Sequence, residues 1–421
     1  MDRFVIDGGT PLSGTVDVGG SKNASLPILA ACLLADGVSS VGNVPFLKDV
    51  ETLCRILGQL GLRARRDSDG RISCSVEDEA PVTAPYDLVR TMRASICVLG
   101  PLIAKRGRAR VSLPGGCVIG PRPIDLHLRG LAALGASIAV EHGYVVAEAE
   151  RLSGARIYLG GPNGPSVLGT ATVMMAATLA DGETVLEHAA CEPEVEDLAA
   201  FLVRMGASIE GAGTHRIRIR GVRKLVGVRH DVIPDRIEAG TFLMAGAITG
   251  GEVFCRGARA DHLDAVLDAM AQAGVKVSEE PGGLRVRAAG RARHTDVTTL
   301  PYPGFPTDLQ AQMTALLCLA EGKSVVAERV FPDRFIHADE LRRMGAKIAR
   351  EGASVTVEGV EALEGAEVMA SDLRASAALV LAGLAAHGET LIHRIYHLDR
   401  GYERLEWKLQ RLGAAIRREF D

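Results

Sequence analysis

Apolar positions along this chain recur in a repeating order of two spacings. A segment rich in Ala, Leu and Met, apolar on every side, leads into a tight turn such as Ala35-Asp36-Gly37 or Ala180-Asp181-Gly182. A Val-rich run with a period of two follows, and then a segment whose apolar residues fall on one helical face. Over residues 193–205 these are Val195, Leu198, Ala199, Leu202 and Met205, the spacing of an amphipathic helix. A Leu-Gly, Met-Gly or Ala-Gly step closes that helix, and a short alternating strand such as Ala207-Ser208-Ile209 comes next. The predicted unit is a buried helix, a strand, an amphipathic helix and further strands, which is α/β architecture.

The closing glycines are Gly61, Gly135, Gly206, Gly274, Gly345 and Gly413, and successive spacings of 74, 71, 68, 71 and 68 residues follow from their positions. A period of about 70 exceeds that of the common helical solenoids. Six units divide most simply into two lobes of three, with the boundary in the basic, polar stretch 221–235. The opening strands, at 4–6 and 16–18, precede the first unit and are predicted to pair with the second lobe. The lobes are therefore 22–230, and 1–21 with 231–421, with the cleft between them as the expected ligand site.

Composition narrows the chemistry. A chain of 421 residues is too long for one core. With one Trp, its cores are built mostly from small aliphatic side chains. A net charge of -4, with both signs interspersed, argues against nucleic-acid or membrane-surface binding. The N-terminus does not read as a signal peptide, and no apolar run reaches the roughly 20 residues of a membrane span. Eight cysteines without a CxxC pair or neighbouring histidines point to neither a disulfide framework nor a zinc set, and to a cytoplasmic protein.

Aligning the units also aligns their polar residues. Lys22-Asn23, Arg93, Ser166, Arg236, Asp308 and Arg374 stand before the apolar helices, and Lys48, Arg122, Glu192, Asp261, Arg334 and Arg400 before the amphipathic ones. A cation at a helix N-terminus opposes the helix dipole. Surface ion pairs would explain any one of them, while a bound polyanion would explain Lys22, Arg93, Arg122, Arg334, Arg374 and Arg400 together. Cys117 follows Pro114-Gly115-Gly116, with Arg122 five residues on. Cationic neighbours favour a thiolate, so spacing alone leaves proton donor, nucleophile and inert loop cysteine all open. Cys32, Cys54, Cys97 and Cys318 lie among apolar helical residues and read as core.

Five segments carry a resemblance across essentially the whole chain. They are Gly19-Gly20-Ser21-Lys22-Asn23-Ala24; Leu113-Pro114-Gly115-Gly116-Cys117 with Arg122-Pro123-Ile124-Asp125-Leu126-His127; Phe305-Pro306-Thr307-Asp308; Ser371-Asp372-Leu373-Arg374-Ala375; and Tyr396 to Arg404. Together they resemble the UDP-N-acetylglucosamine 1-carboxyvinyltransferase family, of the EPSP synthase-like fold. The resemblance implies two lobes of three βαβαββ-type units in an inside-out α/β barrel. It also implies transfer of the enolpyruvyl group of phosphoenolpyruvate to UDP-N-acetylglucosamine, the first committed step of peptidoglycan synthesis, with no metal or organic cofactor.

By the same resemblance Cys117 is the proton donor to phosphoenolpyruvate and the target of fosfomycin, and Asp308 is the base on the sugar 3-hydroxyl. Lys22, Arg122 and Arg400 surround phosphoenolpyruvate, with Arg334 and Arg374 nearby. Asn23, Arg93, Arg122, Pro123, Ile124, Asp125, Leu126, Ser166, Val167 and Val330 hold the UDP-sugar. One departure stands out: the family more often has Ser-Val-Gly where this chain has Ser166-Val167-Leu168, and some members have a lysine near the position of Gly164.

Overall fold

The structure is a computed structural model that describes residues 2–113 and 124–420. Cys117, Arg122 and Pro123 lie outside the described residues. The described chain separates into two compact units, residues 20–113 with 124–233, and residues 2–19 with 234–420. Each has its own hydrophobic core.

Among the described residues the chain forms six helix pairs, with one extra helical turn at Tyr86–Val89. In the first unit the pairs are α1 (Lys22–Ala31) and α2 (Lys48–Gln59), α3 (Leu99–Arg106) and α4 (Asp125–Ala133), and α5 (Val167–Ala177) and α6 (Pro193–Arg204). In the second they are α7 (Arg236–Ile248) and α8 (Asp264–Gln272), α9 (Gln310–Leu317) and α10 (Ile336–Arg343), and α11 (Leu373–Ala385) and α12 (Leu405–Arg411). The first member of each pair is apolar nearly all round and packs on its counterparts within the unit. All of α7 is buried, as is α11 from Arg374 to Leu384. The second member buries one face, as α6 does with Val195, Leu198, Ala199 and Leu202. Helices apolar on every side belong inside, and amphipathic ones outside.

Six four-stranded sheets follow one plan. A strand is joined in parallel by a short edge strand on one side and by an antiparallel pair on the other, a hairpin in five of the six. In the first unit the orders are Arg229–Asp231, Val38–Gly42, Ile72–Val76, Leu62–Arg66; Thr83–Ala84, Arg108–Ser112, Tyr144–Glu148, Ser137–Glu141; and Arg156–Tyr158, Glu183–Glu187, Arg216–Arg220, Ser208–Glu210. In the second they are Ser13–Asp17, Glu252–Arg256, Gly283–Arg287, Lys276–Glu280; Val297–Thr299, Lys323–Glu328, Ser354–Glu358, Lys347–Glu351; and Glu367–Met369, Glu389–His393, Arg3–Asp7, Ala415–Glu419. The strands alternate as a half-buried sheet requires: in Arg216–Arg220 the two isoleucines are buried and the three arginines exposed.

Each unit closes on itself. Arg229–Asp231, at the end of the first unit, supplies the parallel edge of that unit's first sheet. Arg71 secures the join: it donates to Ser40 O and His230 O at 2.8 and 2.9 Å and forms an ion pair with Asp231. Both N-terminal strands belong to the second unit. Arg3–Asp7 lies between Glu389–His393 and Ala415–Glu419, and Ser13–Asp17 pairs with Glu252–Arg256.

The recurring glycines have one cause. Gly61, Gly135, Gly206, Gly274, Gly345 and Gly413 all have positive φ, between 76° and 109°. Each N–H donates to the carbonyl three residues back, as Gly206 does to Val203 O at 3.0 Å. In the last five the next N–H reaches five residues back, as Ala207 does to Leu202 O at 3.0 Å. This is the Schellman cap, whose left-handed residue is best filled by glycine.

Two substitutions separate backbone conformation from close approach. At Gly345 an added Cβ meets nothing within 4 Å, so Gly345→Ala is expected to cost only about 1–2 kcal/mol for the left-handed φ. At Gly359 the added atom would lie 1.5 Å from Ala320 O, and Gly359→Ala is expected to cost clearly more. Urea unfolding of the two variants tests this, and equal losses would refute it.

Candidate functional site

The residues aligned by the repeat stand at helix starts. Lys22 opens α1, Lys48 opens α2, Arg236 opens α7 and Arg374 is second in α11. Arg93 begins the 3-10 turn Arg93–Val98 before α3, and Asp308 sits in the turn Thr307–Leu309 before α9. Asp261 lies in the turn Ala260–His262 before α8, and Arg400 ends the turn Ile395–Arg400 that precedes α12. Four of the apolar helices are capped by the residue just outside: Ser21, Ser166, Asp235 and Asp372 each accept from the first-turn amides. Ser166, read from sequence as a ligand contact, thus already has a structural task, accepting from Gly169 N at 3.0 Å.

In the second unit Asp308 is the centre of a charged cluster. Arg334 Nη1 donates to its Oδ1 at 2.8 Å, and Arg374 Nη2 to its Oδ2 at 2.9 Å. Both arginine side chains are buried, at 7% and 4% exposure, whereas the carboxylate keeps 25%. Burial alone would raise the Asp308 pKa, but Arg374 and Arg334 outweigh it and hold the carboxyl well below the usual carboxylate range. Burial likewise opposes the Arg374 charge, and Asp308 more than offsets it, so the guanidinium pKa rises. The sequence had grouped both arginines with an anion from outside, whereas here they already hold one from within the chain.

A neutral network lies beside this cluster. Tyr402 Oη and Thr241 Oγ1 are 2.9 Å apart, and Gln312 Nε2 lies 3.1 Å from each and donates to Asp308 O at 3.0 Å. Burial raises the Tyr402 pKa, leaving the phenol protonated at neutral pH. His337 is pushed down to about 4, chiefly by burial, with Arg334 also lowering it and Asp372 opposing. Val330 stands in the turn after Lys323–Glu328, its N–H donating to Glu328 Oε1 at 2.8 Å.

In the first unit, Lys22 Nζ lies 3.3 Å from Asp49 Oδ2, at 12% and 6% exposure. Ile124 caps α4, Asp125 and Leu126 begin it, and Val167 begins α5. These starts adjoin: a Cβ on Gly169 would lie 3.0 Å from Ser166 Oγ and 3.5 Å from Leu126 Cβ. The hairpin of Gly160–Gly161 with Gly164–Pro165 is close by, since a Cβ on Gly161 would come within 3.3 Å of Leu126. Gly164 has φ 95° in its turn, and Leu168 packs on the core. His127 Nδ1 meets Thr172 Oγ1 at 3.0 Å, joining α4 to α5. Burial, and then Arg93, push its imidazole down to about 3.

Cys97 and Cys318 are buried and Cys54 half-buried, and desolvation pushes all three thiols up to about 12, which disfavours the reactive thiolate. Among the described residues no cluster of three His, Cys, Asp or Glu is arranged to hold a metal ion, and no helix is long and apolar enough to cross a membrane.

Comparison with known proteins adds a second line of evidence. The profile of the EPSP synthase (3-phosphoshikimate 1-carboxyvinyltransferase) family matches residues 6–409. The chain is 58% identical, over all of both chains, to a UDP-N-acetylglucosamine 1-carboxyvinyltransferase of Anaeromyxobacter sp.. It is 55% identical, over 99% of both, to the protein of that name from Geobacter metallireducens. Among solved structures, the enolpyruvyl transferase NikO from Streptomyces tendae superposes with a TM-score of 0.90 at 28% identity, covering 99% of each chain. An EPSP synthase from Acinetobacter baumannii shares the fold, with a TM-score of 0.76 at 19% identity over both full lengths.

The buried histidines give a pH dependence with a defined sign. An unfolded chain protonates His127 below about 6.5, whereas the folded unit resists until about 3. Stability from this group is therefore complete above pH 6.5 and falls as the pH drops through that window. His127→Gln is expected to shrink the loss in urea midpoint between pH 7 and pH 5. An unchanged loss would refute the assignment.

Proposed function

Since the chain belongs to the EPSP synthase family, we propose that it transfers the enolpyruvyl group of phosphoenolpyruvate to the 3-hydroxyl of UDP-N-acetylglucosamine, releasing phosphate, in the first committed step of peptidoglycan synthesis. The observation that carries this reading is the 58% identity, without truncation, to a UDP-N-acetylglucosamine 1-carboxyvinyltransferase. The chemistry of the site residues suits it.

In this mechanism Cys117 delivers a proton to the methylene carbon of phosphoenolpyruvate, which leaves C2 electron-poor. The sugar oxygen attacks C2 and its proton passes to Asp308. The resulting ketal expels phosphate and loses a proton from the new methyl group, which regenerates the double bond in the product. Lys22, Arg122 and Arg400 hold the phosphate and carboxylate charge, with Arg334 and Arg374 nearby. Asn23, Arg93, Arg122 to Leu126, Ser166, Val167 and Val330 hold the UDP-sugar.

The pairing of Asp308 adds a physical condition to its role as base. A carboxylate held by two guanidiniums is reliably ionised but weakly basic. An arriving anion competes for Arg334 and Arg374, and any share it takes raises the proton affinity of Asp308. Substrate binding thus prepares the base for the proton it is to receive.

Phosphate release assayed with a panel of acceptors tests the reading directly. Turnover is expected with UDP-N-acetylglucosamine and not with shikimate 3-phosphate, and a preference for the latter would overturn the acceptor assignment. Asp308→Asn is expected to lose most turnover. It is also expected to destabilise the fold by about 3–5 kcal/mol, because two buried guanidiniums lose their counter-charge. Normal turnover in that variant would remove Asp308 as base.

A further inference from the structure

We propose that Glu328 is the positioning residue of the Asp308 site, a carboxylate that sets Thr307 and, through it, the guanidinium of Arg334 against Asp308. The inference rests on the reading of Asp308 given above.

Glu328 ends the strand Lys323–Glu328 and is fully buried. Its partners are hydroxyls and backbone amides. Oε1 accepts from Thr299 Oγ1 at 2.6 Å, Val330 N at 2.8 Å and Phe331 N at 2.9 Å. Oε2 accepts from Thr307 Oγ1 at 2.9 Å. A buried carboxylate is tolerated only when it is satisfied in this way, so the four donors are held in one arrangement.

The link to the site is Thr307. Its hydroxyl proton goes to Glu328, which turns its lone pairs toward Arg334 Nη1 at 3.0 Å. The same nitrogen donates to Asp308 Oδ1 at 2.8 Å. Arg334 Nε is buried without a hydrogen-bond partner among the described residues, so Nη1, together with the Phe331 ring 5.8 Å from the guanidinium carbon, orients the group. An unbroken chain of hydrogen bonds thus runs from Glu328 through Thr307 and Arg334 to Asp308.

After four of the five other corresponding strands the chain turns through a left-handed residue: Asn43 at φ 53°, His188 at 55°, Gly257 at 84° and Arg394 at 58°. In the repeat that contains Asp308 the strand instead continues through Glu328, in register with Thr299, and the side chain supplies acceptors for the next turn. Glu187, which ends the strand Glu183–Glu187, has an ordinary surface role, pairing with Arg216 and Arg156 at 2.6 and 2.9 Å.

A double-mutant cycle tests the relay, using Glu328→Gln, Thr307→Val and the double variant in the full-length protein. Each single change is expected to lower kcat per folded molecule by about 10- to 100-fold, the scale of a small misplacement at a reacting centre, on top of the stability lost where buried donors go unsatisfied. The double variant is expected to be no worse than the poorer single. Losses that multiply, or that track the fraction unfolded, would overturn the proposal. Wild-type turnover with UDP-N-acetylglucosamine is the separate control for the functional reading. Should it be absent, the same cycle read by urea unfolding still reports the contact between Glu328 and Thr307: coupled losses support it and additive losses refute it.

Discussion

Arg334 and Arg374 are buried in the second unit because one carboxylate neutralises them both. Removing Arg334 and Arg374 from water is costly, and Asp308 recovers that cost only if all three groups are held within hydrogen-bond distance. The local architecture serves that requirement. Arg374 is fixed by the capped start of α11, Arg334 by the turn before α10, and Asp308 by the short turn before α9. Tyr402, Thr241 and Gln312 form a neutral wall that adds no competing charge. Because the arginines are more buried than the carboxylate, the anionic group is the part of the cluster left accessible.

The same unit of paired helices and a four-stranded sheet is built six times, yet its polar positions have diverged. At the start of the apolar helix the chain has Lys22, Arg93, Ser166, Arg236, Asp308 and Arg374 in turn. The scaffold tolerates this variety because the glycine cap and the buried helix face, which make the unit fold, lie elsewhere. Position and chemistry are therefore specified by separate residues, and a repeat can change its charge without changing its shape.

This separation also explains what could be read without coordinates. The glycine period is visible because the left-handed cap tolerates little else, and the helix pairs are visible because their apolar spacing is strong. The helix-start cations are visible as a set, but their partners are not: pairing Lys22 with Asp49, or Arg334 and Arg374 with Asp308, is a matter of three-dimensional packing. Glu328 has no distinguishing sign in the sequence for a related reason. An acidic residue at a strand end normally marks the surface, as Glu187 does, and only burial among Thr299, Thr307 and the following amides distinguishes it. The cap role of Ser166 had a local sign, a serine before an apolar helix, that its candidacy as a ligand contact obscured.

The closing of each unit on itself has a consequence for biosynthesis. The first unit is an insertion in the chain of the second: Ser21 N donates to Ile233 O at 2.8 Å, while Asp235 N donates to Gly19 O at 2.8 Å. The inserted unit has all its strands once Arg229–Asp231 has been made. The strands Arg3–Asp7 and Ser13–Asp17 must wait for partners at Glu252–Arg256, Glu389–His393 and Ala415–Glu419, which are synthesised much later. At elongation rates of about 5–20 residues per second, that wait is on the order of ten seconds or more. During it these two strands lack the partners they have in the folded unit, so a chaperone has more reason to attend to them than to strands that pair with near neighbours.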